Sequence, residues 1–154
     1  MTTTKLVGIT SLTNQLTTEL NSLANGSAAI ASTGYDNSTN LAIAAALELN
    51  VTFGSSPTAG SLITGYFVPA LDGTNYDDAT TGASPLISPD LYKFYFWLRA
   101  VTSAQKVAAQ GAGPNGQILL PPNKFKVYVI NNSGQAFPAS GSTISMETFA
   151  LQTV

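Results

Sequence analysis

Between Leu91 and Val101 the chain alternates with a period of two. Tyr92, Phe94, Phe96, Leu98 and Ala100 fall on one side of an extended backbone, and Lys93, Tyr95, Trp97 and Arg99 on the other. Successive side chains of a strand point to opposite faces, so the run reads as a strand with one core-facing side. The pattern recurs. Ile43, Ala45, Leu47, Leu49, Val51 and Phe53 share one face, opposite Ala44, Ala46, Glu48, Asn50 and Thr52. Ser61 to Ala70 sets Leu62, Thr64, Tyr66 and Val68 against Ile63, Gly65 and Phe67, with Pro69 marking an end or an edge. Lys124 to Ile130 turns Phe125, Val127 and Val129 inward, and Ser142 to Val154 closes the chain as a β-branched and aromatic strand. Ile118-Leu119-Leu120, ahead of Pro121-Pro122, reads as a short edge strand.

Turn chemistry separates these runs. Gly54 to Gly60 and Asn131-Asn132-Ser133-Gly134 are turns. Gly26 to Asn40, Leu71 to Pro89 and Gln105 to Asn115 read as loops. Strands joined by polar, glycine-rich connections predict an all-β fold, an antiparallel β-sandwich or jelly-roll-like single domain. The expected division is an N-terminal arm or first strand over residues 1–25 and the sandwich over residues 26–154. In the arm, Leu12, Leu16 and Leu20 are four apart, which suits a helical face or one face of a strand. Its many threonines favour extended chain. An arm in an assembly often docks on a neighbour, which makes these three leucines candidate interface residues.

The chemistry available is narrow. With no histidine and no cysteine, Ser-His-Asp and Cys-His arrangements, thiol nucleophiles and cysteine zinc sites are all excluded. A glycosidase would need two facing carboxylates. Glu48, Glu147, Asp90 and the acids of Asp72–Asp78 supply acids, but no spacing selects a pair. The expectation is a protein that is not an enzyme and carries no cofactor. Asp72, Asn75, Asp77 and Asp78 are weak calcium candidates, because oxygen donors at near-alternate positions suit that ion; the spacing does not match an EF-hand loop. Tyr95 and Trp97 beside Lys93 and Arg99 are candidates for a protein interface or for stacking on sugar rings. Sequons begin at Asn25, Asn37, Asn50 and Asn131, read as chance in a chain rich in Asn, Ser and Thr.

Only 9% of residues are charged and the net charge is −2, so electrostatics gives no reason to bind nucleic acid or an anionic membrane. A weakly charged polar surface instead favours association with copies of itself. No segment has the roughly 20 apolar residues of a membrane helix, and Met1 to Lys5 lacks a signal-peptide layout. The expectation is a protein made and kept in a cytoplasm unless lysis releases it.

One resemblance extends this reading. Leu119-Leu120-Pro121-Pro122, then Lys124-Phe125-Lys126-Val127-Tyr128-Val129-Ile130, then Asn131-Asn132-Ser133-Gly134-Gln135-Ala136-Phe137 resemble a pattern in small virion proteins of tailed bacteriophages. Asp36-Asn37-Ser38-Thr39-Asn40, Thr58-Ala59-Gly60-Ser61 and Asp72-Gly73-Thr74-Asn75-Tyr76 resemble it too, and in order the blocks cover most of residues 23 to 151. Such proteins are typically β-sandwiches. Some are capsid decoration, or cement, subunits on the capsid exterior, often as trimers; others sit on the tail or neck. The resemblance therefore implies a virion structural protein assembled in the host bacterial cytoplasm, with the major capsid protein and copies of itself as partners. It transfers no catalytic residue. The alternative is a tail or tail-fibre β-module that binds glycans.

Overall fold

A computed structural model describes residues 3–76, 92–111 and 118–153. They form two antiparallel sheets packed face to face, so the chain is an all-β sandwich. The first sheet is built on β5 (Ala44–Val51) and β12 (Thr143–Thr153), which pair from Thr143↔Asn50 to Phe149↔Ala44. Along the other side of β12 run β1 (Thr4–Gly8) and β2 (Thr13–Leu16). Along the other side of β5 run β8 (Gln105–Ala108) and β10 (Ile118–Leu119). The second sheet centres on β6 (Leu62–Ala70) and β11 (Lys124–Asn132), paired over nine positions. β7 (Lys93–Trp97) and then β9 (Gln110–Gly111) extend it past β6, and β3 (Ala28–Ile30) and β4 (Tyr35–Asp36) line the far side of β11.

The period-two pattern explains the core. Leu47, Leu49, Val51, Ile144 and Met146 face inward from the first sheet. Ile63, Phe67, Phe94, Phe96, Phe125, Val127 and Val129 face them from the second. The rings of Phe94, Phe67 and Phe125 lie on three adjacent strands, with centroids 5.1 and 4.8 Å apart. Gly65 is required here, because a Cβ on it would run into the Phe94 ring.

The second sheet also buries part of its outer face. Tyr66, Val68, Tyr128, Ile130 and Ala28 form a separate cluster there, with Ile30 and Tyr76 against it. Alternation on β6 placed Tyr66 and Val68 together but gave no sign that both faces would be covered, as is usual for a central strand with apolar residues on both sides.

Several expectations change. Leu16 and Leu20 are fully buried in the sandwich's own core, so they offer no surface to a partner. Leu16 ends β2, and Leu20 closes a 3-10 turn at Thr18–Leu20. Leu12, between β1 and β2, is 49% exposed. Residues of the expected arm thus add strands directly to the first sheet. Ile43 is not inward but 42% exposed, since β5 begins one residue later. The expected loop Gly26–Asn40 contains β3, β4 and a helical turn at Asn37–Asn40, and the expected loop Gln105–Asn115 contains β8 and β9. These strands are short and carry few large apolar residues, but a ladder needs only their backbone groups. Leu71 to Pro89 lies within the described residues only as far as Tyr76, where Asp72 and Gly73 make a turn.

Two buried asparagines fasten the ends of the sandwich. Asn37 is fully buried; its Nδ2 donates to the carbonyls of Ala42 (2.8 Å) and Pro121 (2.7 Å), and its Oδ1 accepts from the Ala42 amide (2.8 Å). Asn131, also fully buried, donates to the Leu23 and Gln135 carbonyls and accepts from the Ser133 amide. Both begin sequons, and in the folded chain neither side chain is accessible for glycan attachment.

Candidate functional site

The outer face of the second sheet carries an open aromatic. Trp97 is 51% exposed, on the strand face opposite Phe94 and Phe96. It pairs with Leu62 of β6, and Leu62 pairs in turn with Asn132 of β11. Strands lie about 4.8 Å apart, so Trp97 and Asn132 are separated by roughly 10 Å along one cross-strand row. In the next row are Tyr95, Thr64 and Ile130. Tyr95 is half-buried, with the Lys93 ammonium 5.4 Å from its ring centroid. Tyr95 and Trp97 thus occupy neighbouring rows of one face.

Beside Asn132 opens a shallow groove of about 390 Å³, lined by Asn25, Thr58, Ala59, Gly60, Ser61, Asn132 and Gly134. Its shape is set by turns. The Thr58 amide donates to the Ser133 carbonyl, and the Gly134 amide donates to Asn25 Oδ1 at 2.8 Å. Gly134 has φ +81°, a left-handed conformation glycine adopts without strain, and a Cβ there would strike Thr58. Ser61 Oγ is buried without a hydrogen-bond partner, while Asn132 Nδ2 donates to Thr64 Oγ1 at 3.3 Å. The groove is thus uncharged and rich in hydroxyl and amide groups. Sequence reasoning singled out Trp97 but missed these partners, because each alone is ordinary turn chemistry.

The first sheet's outer face divides in two. Toward one end, Phe149 pairs with Gly8 on one side and Ala44 on the other, and Ala44 pairs with Leu119. Adjacent to this row, Leu6 faces Leu151; they are 47% and 59% exposed. Toward the other end the face is polar. Ser145 Oγ donates to Asn14 Oδ1 at 2.7 Å, and Lys106 pairs with Glu48 at 3.2 Å. Glu48 and Glu147 sit diagonally on β5 and β12. Asp90 lies outside the described residues.

The calcium candidates have other work where they are described. Asp72 Oδ1 accepts from the amides of Thr74 (2.8 Å) and Asn75 (2.7 Å), and its Oδ2 accepts from Asn75 Nδ2 (2.6 Å). These hydrogen bonds hold the Asp72 carboxyl below its ordinary value, the Asn75 amide contributing most. Asp77 and Asp78 lie outside the described residues. Among the described residues no group of three or more acids is placed to hold a metal ion, and no helix is long and apolar enough to cross a membrane.

A second polar groove, of about 260 Å³, is lined by residues of Asn14–Glu19 and Ser32–Tyr35. Glu19 joins its two walls, accepting from the amides of Thr17 (3.0 Å) and Ser32 (3.1 Å). Burial raises the Glu19 carboxyl, but the amides of Thr17, Glu19 and Ser32 and the Ser32 hydroxyl outweigh it and hold it below 4.5. A group depressed in the folded state binds more protons when unfolded, so its stabilisation is complete above pH 4.5 and is lost as pH falls through the folded value. The urea midpoint is therefore expected to hold steady above the carboxylate range and to fall below it. Glu19→Gln should flatten part of that fall; an unchanged slope would remove Glu19 as a source.

No protein-family model, curated protein or solved structure matches this chain.

Proposed function

We propose that this chain is a bacteriophage virion structural protein, a capsid decoration subunit that bridges major capsid protein subunits and works without catalysis. The observation that carries the reading is the first sheet's outer face, where an apolar end around Leu6, Leu151 and Leu119 adjoins a polar end. Bridging needs an apolar anchor, a hydrogen-bonding rim and area, but no reactive group. The resemblance adds support. One block is the central strand β11, and others hold turns with defined structural jobs: Asp36 accepts from the Ser38 amide, Asn37 is buried, and Asp72 closes its own turn. Such turns fix a particular sandwich, which is what an ordered set of short blocks would mark. An electron-microscopy map of the intact particle tests the reading: the expected result is this sandwich on the capsid exterior. Finding the chain only in tail fractions would overturn it.

A second reading, a glycan-binding module, is favoured by the Trp97 row and its neighbouring groove. An exposed indole offers a face for sugar C–H groups, and uncharged hydroxyls and amides roughly 10 Å away suit the hydroxyls of a sugar further along the same glycan. In a glycan array, with and without calcium, a positive chain should lose about ten-fold or more in affinity on Trp97→Ala, a change of some 1.4 kcal/mol. No binding by the parent chain, or binding indifferent to Trp97, counts against this reading.

A further inference from the structure

β1 is an edge. It pairs with β12 on one side, and among the described residues its other side has no backbone partner. The Ile9 amide donates to the Thr148 carbonyl at 2.9 Å. Backbone groups alternate in direction along an antiparallel strand. Ile9, Val7 and Lys5 therefore direct theirs toward β12, and Gly8, Leu6 and Thr4 direct theirs outward. An outward row of this kind is a template for another strand.

We infer that two copies of the chain pair through β1, antiparallel and centred on Leu6, to form a two-fold dimer with one continuous sheet. In this register Leu6 stands opposite Leu6 of the second copy, and Thr4 opposite Gly8. All three outward residues then find partners, with about six new backbone hydrogen bonds. Lys5 stands opposite Val7, so the two lysines are not apposed. A register centred on Lys5 would set like charges directly opposite each other, which is destabilising. One centred on Val7 would set Thr4 opposite Thr10, beyond the strand. The chosen register also joins Leu151, Leu6 and their copies into one apolar band across the axis. The same patch meets itself, as a closed two-fold interface requires.

Area sets the strength. A stable interface covers roughly 800 Å² per partner, about a tenth of this chain's 7832 Å² surface. A five-residue edge with Leu6 and Leu151 falls short of that, so the dimer dissociates on dilution through roughly the micromolar range. It deepens the self-association in the decoration reading and rests on that part alone; capsid attachment is not required.

Proline separates the two edges of β1. Leu6→Pro removes an outward amide and leaves every bond to β12, as edge positions tolerate. Val7→Pro removes an inward amide and should damage the monomer. Leu6→Lys keeps the backbone and sets two charges together at the axis. Sedimentation of the full chain at about 0.1 mM, well above the expected dissociation range, with circular dichroism to check the fold, should show a dimer. Leu6→Pro should be monomeric with an unchanged spectrum, and Leu6→Lys should weaken the dimer about ten-fold or more, partly restored by salt. A parent chain that stays monomeric or sediments as a trimer, or a dimer intact in both Leu6 variants, overturns the inference. If Leu6→Pro misfolds, Leu6→Lys decides alone. A monomer found on the capsid exterior would sink the dimer only; a dimer found only in tails would sink the capsid position only.

Discussion

Asn37→Asp is expected to destabilise the sandwich by about 4 kcal/mol or more, a large fraction of the roughly 5–15 kcal/mol that holds a typical domain folded. The substitution keeps the side chain's shape and changes only its chemistry. Asn37 Nδ2 now donates to the Ala42 and Pro121 carbonyls, and an aspartate oxygen in its place would face two acceptors. The site is fully buried, so the new charge has no water to turn to. Asn37→Ala should cost less, about 3 kcal/mol, since it leaves three backbone groups unpaired but adds no repulsion. Urea titration of the three chains checks the order. An Asn37→Asp midpoint close to the parent's would mean that the turn opens to water without loss, and that Asn37 does not fasten this end.

Asn37 also marks where the sequence stops being readable. Leu47, Leu49 and Val51, or Phe94 and Phe96, announce their strands because one face of each must be apolar. The sandwich follows from several such runs. Asn37 sits in Asp36-Asn37-Ser38-Thr39-Asn40, which looks like any solvated loop. Its burial comes from a contact with Pro121, 84 positions away, that no local pattern encodes. β8 was hidden for a related reason: Gln105, a polar residue, is fully buried, its side-chain amide bonded to Arg99 backbone groups that no local pattern points to. The four-residue spacing of Leu12, Leu16 and Leu20 did mark an apolar requirement, but not which leucines the protein's own core would use. At the candidate site the position of Trp97 was legible from alternation on β7. Its neighbours Asn132 and Ser61 were not, because strand register brings them together.

The β1 edge and the Trp97 face do not compete. β1 is an edge of the first sheet, whereas Trp97 and the Asn132 groove lie on the outer face of the second. Edge pairing lengthens the first sheet within its own layer. A dimer would therefore carry two copies of the Trp97 face, and any ligand there would be held bivalently where its spacing allowed.

Phe67→Ala is expected to cost about 3–5 kcal/mol, through lost burial and the cavity left behind. Phe67 is fully buried between Phe94 and Phe125, and those rings continue the contact to Phe96 and Tyr35, with centroids 5.7 and 5.2 Å away. Collapse into the gap is restricted. Phe94 lies tightly over Gly65, and Gly65 belongs to the backbone ladder between β7 and β11. For a chain of this length the loss corresponds to a fall in melting temperature of about 10 °C. Phe67→Leu, which refills part of the volume, should recover about half. The decisive measurement is the Phe67→Ala/Phe94→Ala double variant. Rings that share a contact should lose less together than the sum of their separate losses, by about 0.5–1.5 kcal/mol. Simple additivity would mean that each ring is held by its own surroundings, and the Phe67–Phe94 contact between β6 and β7 would then add nothing beyond apolar burial.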